Sequence, residues 1–112
     1  MESALTTVES LLRKYGHTYG ANLAEIVRNQ YRFDPASACR ALNSDEWWGN
    51  SDAIAACDLA LEGGFSAQAR EDGDRLRAAL VEVYATMKGY GEANAQGELM
   101  VSQFNKWRSS RI

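Results

Sequence analysis

Apolar residues recur along this chain at three- and four-residue intervals, broken by short polar or glycine-rich stretches. That rhythm predicts helices almost throughout. Over residues 3–15, Leu5, Val8, Leu11, Leu12 and Tyr15 fall on one face, and Gly16 follows as a C′ residue that ends the helix. A second helix is predicted over 19–31, with Leu23, Ile26, Val27 and Tyr31 as its apolar stripe and Glu25 and Gln30 toward solvent. Asp34-Pro35 pairs a good N-cap with the residue favoured at the first helical position, so a short third helix starts there. Ala38, Ala41 and Leu42 are expected to face inward, with Cys39 beside them. Ser44 or Asp45 caps a further turn that carries Trp47-Trp48 and breaks at Gly49-Asn50.

The second half continues the pattern. Ser51-Asp52 caps a helix with Ile54, Ala55, Leu59 and Leu61 as its apolar residues, and Gly63-Gly64 ends it. Phe65 is expected to staple the start of the longest helix, with Ser66 as its N-cap. That helix covers about 67–88 and carries Leu76, Leu80, Val83, Tyr84 and Met87 on one stripe, with Gly73 weakening its first half. Gly89-Tyr90-Gly91 forms a strong break before a final helix over about 92–109 with Leu99, Met100, Phe104 and Trp107. Loops are short and β-branched runs are absent. The expected fold is therefore an all-α single-domain helical bundle of five or six helices spanning residues 1–112.

Composition narrows the function classes. A chain of 112 residues with 46% hydrophobic residues can bury one core without staples. A net charge of -3 disfavours a phosphate-backbone binder, which needs a basic face, so no nucleic-acid partner is expected. No apolar run reaches membrane-spanning length, and Met1-Glu2-Ser3-Ala4-Leu5 has neither the basic nor the apolar region of a signal peptide. A cytoplasmic protein without a membrane partner is the expectation. Cys39 and Cys57 sit among small apolar neighbours and read as buried, reduced thiols. With no C-x-x-C and His17 as the sole histidine, no metal and no cofactor are expected.

Catalytic signatures are missing as well. His17 follows a helix-ending glycine and reads as a cap or surface group, and no nucleophile elbow or phosphate-cradling loop is present. Asp45, Glu46 and Asp52 read as helix-start acids that complement the macrodipole. Glu71, Asp72 and Asp74, interleaved with Arg70, Arg75 and Arg77, read as a solvated ion-paired face. Lys106, Arg108 and Arg111 suit a helix C-terminus. Tyr31, Phe33, Phe65, Tyr84, Phe104 and Trp107 are most simply core, whereas Tyr15, Tyr19 and Tyr90 lie near helix ends, where a ring packs while its hydroxyl stays wet.

The stretch Asp45-Glu46-Trp47-Trp48-Gly49 carries the most functional information. Two readings are open for the tryptophans. Both rings close the core beneath a short helix, or one of them, Trp48 before Trp47, stands exposed among the acids as an interface anchor. The surrounding Leu42-Asn43-Ser44-Asp45-Glu46-Trp47-Trp48-Gly49-Asn50-Ser51 resembles a motif in small uncharacterised bacterial helical proteins. These have a leucine-rich first helix, a mid-chain Trp-Gly turn followed by Ser or Asp, and a C-terminal helix pair. Some proteins of this character serve as immunity proteins beside secreted toxins. The resemblance implies a protein-binding inhibitor, immunity- or antitoxin-like. The acids gathered around the tryptophan pair suit a basic toxin, and the expected occluding face combines Asp45, Glu46, Trp48 and Asp52. The rival readings are a small helical enzyme or ligand binder with a pocket near Trp47, and a homo-oligomeric structural protein. Oligomeric state is not legible from the sequence.

Overall fold

The computed structural model describes residues 1–49, Ile54 and 67–109. It is all-α. Six helices are present among the described residues, and none of those residues forms a strand. They are α1 (Glu2–Lys14), α2 (Thr18–Phe33), α3 (Pro35–Leu42), α4 (Asp45–Trp48), α5 (Ala67–Gly89) and α6 (Ala95–Ser109). α1 packs on both α2 and α5, α3 lies against α2 and α5, and α6 pairs with α5 while also touching α4. Of the helix expected after Ser51-Asp52 only Ile54 is described, and it is buried in the core as an apolar position of that helix should be. The rest of that helix, the Phe65 staple, the Ser66 cap, Cys57 and Arg111 lie outside the described residues.

Local chemistry explains the helix ends. α1 closes in a Schellman motif: His17 N–H donates to Leu12 O at 2.8 Å, Gly16 N–H donates to Arg13 O at 3.2 Å, and Gly16 takes φ +82°. α5 ends the same way. Glu92 N–H donates to Met87 O and Gly91 N–H to Lys88 O, with Gly91 at φ +85°. At α3, the Asp34 carboxylate accepts from Ser37 N–H at 3.2 Å and from the Ser37 hydroxyl at 2.6 Å, and Pro35 occupies the first helical position. α6 starts at Ala95, three residues later than its pattern predicts, because Asn94 Oδ1 accepts from Gly97 N–H at 3.0 Å as the N-cap.

The core joins Leu5, Val8 and Leu12 of α1, Leu42 of α3, Trp47 and Trp48 of α4, Leu80, Val83 and Met87 of α5, and Phe104 of α6. The stripes of α1 and α5 lie where their spacing puts them: Leu76, Leu80, Val83, Tyr84 and Met87 are all buried.

α2 is rolled away from its expected orientation. Its buried face consists of Ala21, Ala24 and Val27, and a Cβ on Gly20 would come 3.2 Å from Leu12 Cδ1. Small residues let the backbones of α1 and α2 approach closely, so the small face turns inward and the large side chains turn out. Ile26 is 61% exposed and Phe33 89% exposed, which corrects the core reading of both. Ala41 and Leu99 are likewise exposed rather than inward-facing. For α6 the cause is Gly97, which is buried against Tyr84 and Trp48 and so puts positions 97, 100, 101 and 104 on the inner face.

Candidate functional site

Asp45 and Glu46 occupy the single turn of α4 and are exposed, as a binding face requires. Trp48 is not exposed. It is 2% accessible and Trp47 is 1% accessible, so the expectation of an exposed tryptophan is corrected. The reason is geometric. The Trp48 indole N–H donates to Leu42 O at 2.9 Å, and the ring sits edge-to-face on Tyr84 with centroids 5.3 Å apart. Tyr84 is itself pinned, since its hydroxyl donates to Asn94 O at 3.0 Å and accepts from Asn94 N–H at 3.1 Å. Asn94 Nδ2 in turn donates to Asn43 Oδ1 at 2.9 Å, which ties the turn before α4 to the start of α6. Trp48 therefore holds α4 in place from beneath. Asp52 lies outside the described residues.

The aromatic that does stand among the acids is Tyr19, at the start of α2. Its hydroxyl donates to the Glu46 carboxylate across 27 residues of sequence, and that bond raises the tyrosine pKa. The ring is 70% exposed. Tyr19, Ile26 and Phe33 follow one another at seven-residue spacing, so on a 3.6-residue helix they share one face of α2. The site thus consists of an exposed face about 21 Å long at 1.5 Å per residue, on which these three large side chains recur every two turns with the exposed Asn22 and Asn29 between them. Asp45 and Glu46 edge it at the Tyr19 end. Asp45 makes no ion pair with another described residue. The signal for this stripe was the i, i+7, i+14 series of large side chains opposite Gly20, Ala21 and Ala24.

A second polar cluster joins α1 to α5. Asp72 is fully enclosed, which corrects the reading of that acid as solvated. Lys14 Nζ and the Tyr15 hydroxyl each donate to Asp72 Oδ2 at 2.7 Å, and Gln68 Nε2 donates to Oδ1 at 3.0 Å. The Lys14 ammonium and the Tyr15 hydroxyl hold the Asp72 pKa down to about 2, against the opposing pull of burial. Arg75 Nη1 also approaches Oδ1 at 3.4 Å, so both carboxylate oxygens are occupied by donors within the fold and the cluster reads as a tether between α1 and α5. Its neighbours Arg77 and Asp74 pair at 2.8 Å, as the alternating charges predict.

Other chemistry is sparse. Among the described residues no group of three or more His, Cys, Asp and Glu side chains converges as metal ligands, and no helix is long and apolar enough to cross a membrane. An open cleft of about 540 Å³ is lined by Met1, Glu2, Ser3, Tyr31 and Arg32, and Trp47 is not part of it. Cys39 is free and buried, and burial pushes its thiol pKa up. No family model, curated protein or solved structure matches the chain.

Proposed function

We propose that this protein binds another protein and neutralises it by occlusion, as immunity proteins and antitoxins do. The observation that carries this reading is the exposed Tyr19–Ile26–Phe33 stripe with the Asp45–Glu46 acids at its end. Three large exposed side chains on one helix face give a partner repeated anchor points, with the polar Asn22 and Asn29 between them. A helix face of this kind lies against an apolar groove or helix of its partner through positions seven residues apart. The acids select a basic partner and speed the encounter without adding much affinity. In a net-acidic chain that bias suits a basic toxin. Asp52 extends the acidic group in sequence, and Trp48 contributes by fixing α4 rather than by touching the partner.

The test is a calorimetric titration against the product of the gene adjacent to this one. Ile26→Glu should weaken binding at least about tenfold, since it places a charge in the desolvated centre of the face. Reversing the charges of Glu46 and Asp52 should slow association more than it speeds dissociation. Wild-type affinity in all of these variants would remove this face from the binding site.

A further inference from the structure

The segment between α5 and α6 holds more than the two helices it joins. Its backbone is anchored at both ends. Glu92 N–H closes the Schellman end of α5, and the Tyr84 hydroxyl holds both backbone groups of Asn94. From that anchored segment three polar groups converge on one side chain, Asn43. Asn43 Nδ2 donates to Glu92 Oε1 and to Ala93 O, each at 3.2 Å, and Asn43 Oδ1 accepts from Asn94 Nδ2 at 2.9 Å. Only one orientation of the Asn43 amide satisfies all three bonds. Turned over, it would set its oxygen against two acceptors and its NH2 against the Asn94 NH2.

Asn43 stands two residues before Asp45. α4 is a single turn, the Ser44 side chain makes no cap bond to it, and a helix this short has little stability of its own. Its position is therefore set from outside. Trp48 fixes the buried side, and Asn43 fixes where the turn begins. Both holds lead back to Asn94, one directly through Asn43 and one through Tyr84, whose ring carries Trp48.

We propose that Asn94 is a positioning residue for Asp45 and Glu46, and that its amide NH2, rather than its capping oxygen, sets the acid-bearing turn against Tyr19. The two tasks of its side chain are separable. Oδ1 caps α6 at Gly97 N–H, while Nδ2 alone reaches Asn43. Asparagine and aspartate are about equal as N-caps, so Asn94→Asp keeps the cap and removes the tether. That these acids meet a basic partner rests on the reading above. Their placement by Asn94 does not, and it is measured on the free protein.

Amide NMR spectra of the isotope-labelled full chain test this in wild type, Asn94→Asp, Glu92→Gln and the double variant. Asn94→Asp should shift the Ser44, Asp45, Glu46 and Tyr19 amides and leave the Gly97 amide protected from exchange. Its thermal midpoint should fall by about 4–8 °C, the effect of leaving one half-buried acceptor without its donor. Glu92→Gln alone should match wild type, because its side-chain carbonyl still accepts from Asn43. In the double variant Asn43 turns over. Its Nδ2 then serves the new carboxylate at position 94, and its Oδ1 accepts from the new amide at position 92. Only the bond to the exposed Ala93 is given up. The α4 amides should therefore return toward their wild-type shifts, which a merely destabilising effect of Asn94→Asp would not produce. If Asn94→Asp does not fold, Asn94→Ser, which also caps, is read instead and should shift the same amides. Unmoved α4 and Tyr19 amides in the folded variant, or shifts that Glu92→Gln does not reverse, overturn the proposal. A displaced α4 with undiminished binding of the adjacent gene's product would strike the acids from the inhibitor reading and leave Asn94 in its role.

Discussion

Gly97→Ala tests how tightly α4, α5 and α6 are locked together. A methyl group at Gly97 would lie 2.6 Å from Tyr84 Cε2, 3.1 Å from Tyr84 Cδ2 and 3.2 Å from Trp48 Cδ2. Two effects oppose each other. Replacing glycine by alanine inside a helix stabilises by about 1 kcal/mol through chain entropy and propensity. Overpacking a well-filled core typically costs about 1–3 kcal/mol. Here the upper half of that range applies, because the nearest ring cannot swing away. Its hydroxyl is held by both backbone groups of Asn94, and its ring packs edge-to-face on the buried Trp48. The net result is a destabilisation of about 1–2 kcal/mol. Urea unfolding followed by tryptophan fluorescence reads it as a lower midpoint with an unchanged slope. In a Tyr84→Leu background the clash partner is gone, so the same substitution should be neutral or stabilising, and the cycle should show clear coupling. A wild-type background in which Gly97→Ala raises the midpoint would refute this packing.

Three further outcomes follow from the same geometry. Asp72 titrates at about 2 in the fold against 3.8 when free, so the stability it lends is complete above about pH 4 and is lost as pH falls through 2. Asp72→Asn should flatten the decline of the thermal midpoint in that window, and identical acid profiles would contradict the tether. Leu80→Ala should cost about 2–5 kcal/mol, because the side chain is completely buried on the α5 stripe, and an unchanged midpoint would show the stripe misplaced. In a Cys57→Ser variant, Cys39 should react with a thiol reagent only as fast as the protein opens, and immediate labelling in native buffer would contradict its burial.

How much of this was legible in the sequence depends on what decides each helix's rotation. Where large side chains pack inward, as Leu80 and Tyr84 do on α5, periodicity alone places the core. The glycine stops were equally readable, because Gly16 and Gly91 supply the positive φ that a Schellman end needs. Where close approach decides, hydrophobicity misleads. Gly20, Ala21 and Ala24 draw α2 onto α1 and leave Ile26 and Phe33 outside, and Gly97 does the same to Leu99 on α6. The candidate site was half legible. Asp45 and Glu46 were found as exposed acids, but their aromatic companion, Tyr19, lies 27 residues away from Glu46 and meets it only through tertiary packing. The adjacent tryptophans left two readings open, both rings closing the core or one facing outward, and the structure takes the first. A one-turn helix held over Tyr84 and Gly97 buries both.

The proposed binding face is tested most directly by residue-resolved NMR. The isotope-labelled protein is titrated with the product of the adjacent gene, and amide shifts are mapped onto the helices. Perturbations should cluster at Tyr19, Ile26, Phe33, Asp45 and Glu46, with the outer surface of α5 silent. Perturbations confined to α5 and α6, with the α2 stripe unchanged, would contradict the assignment of this face.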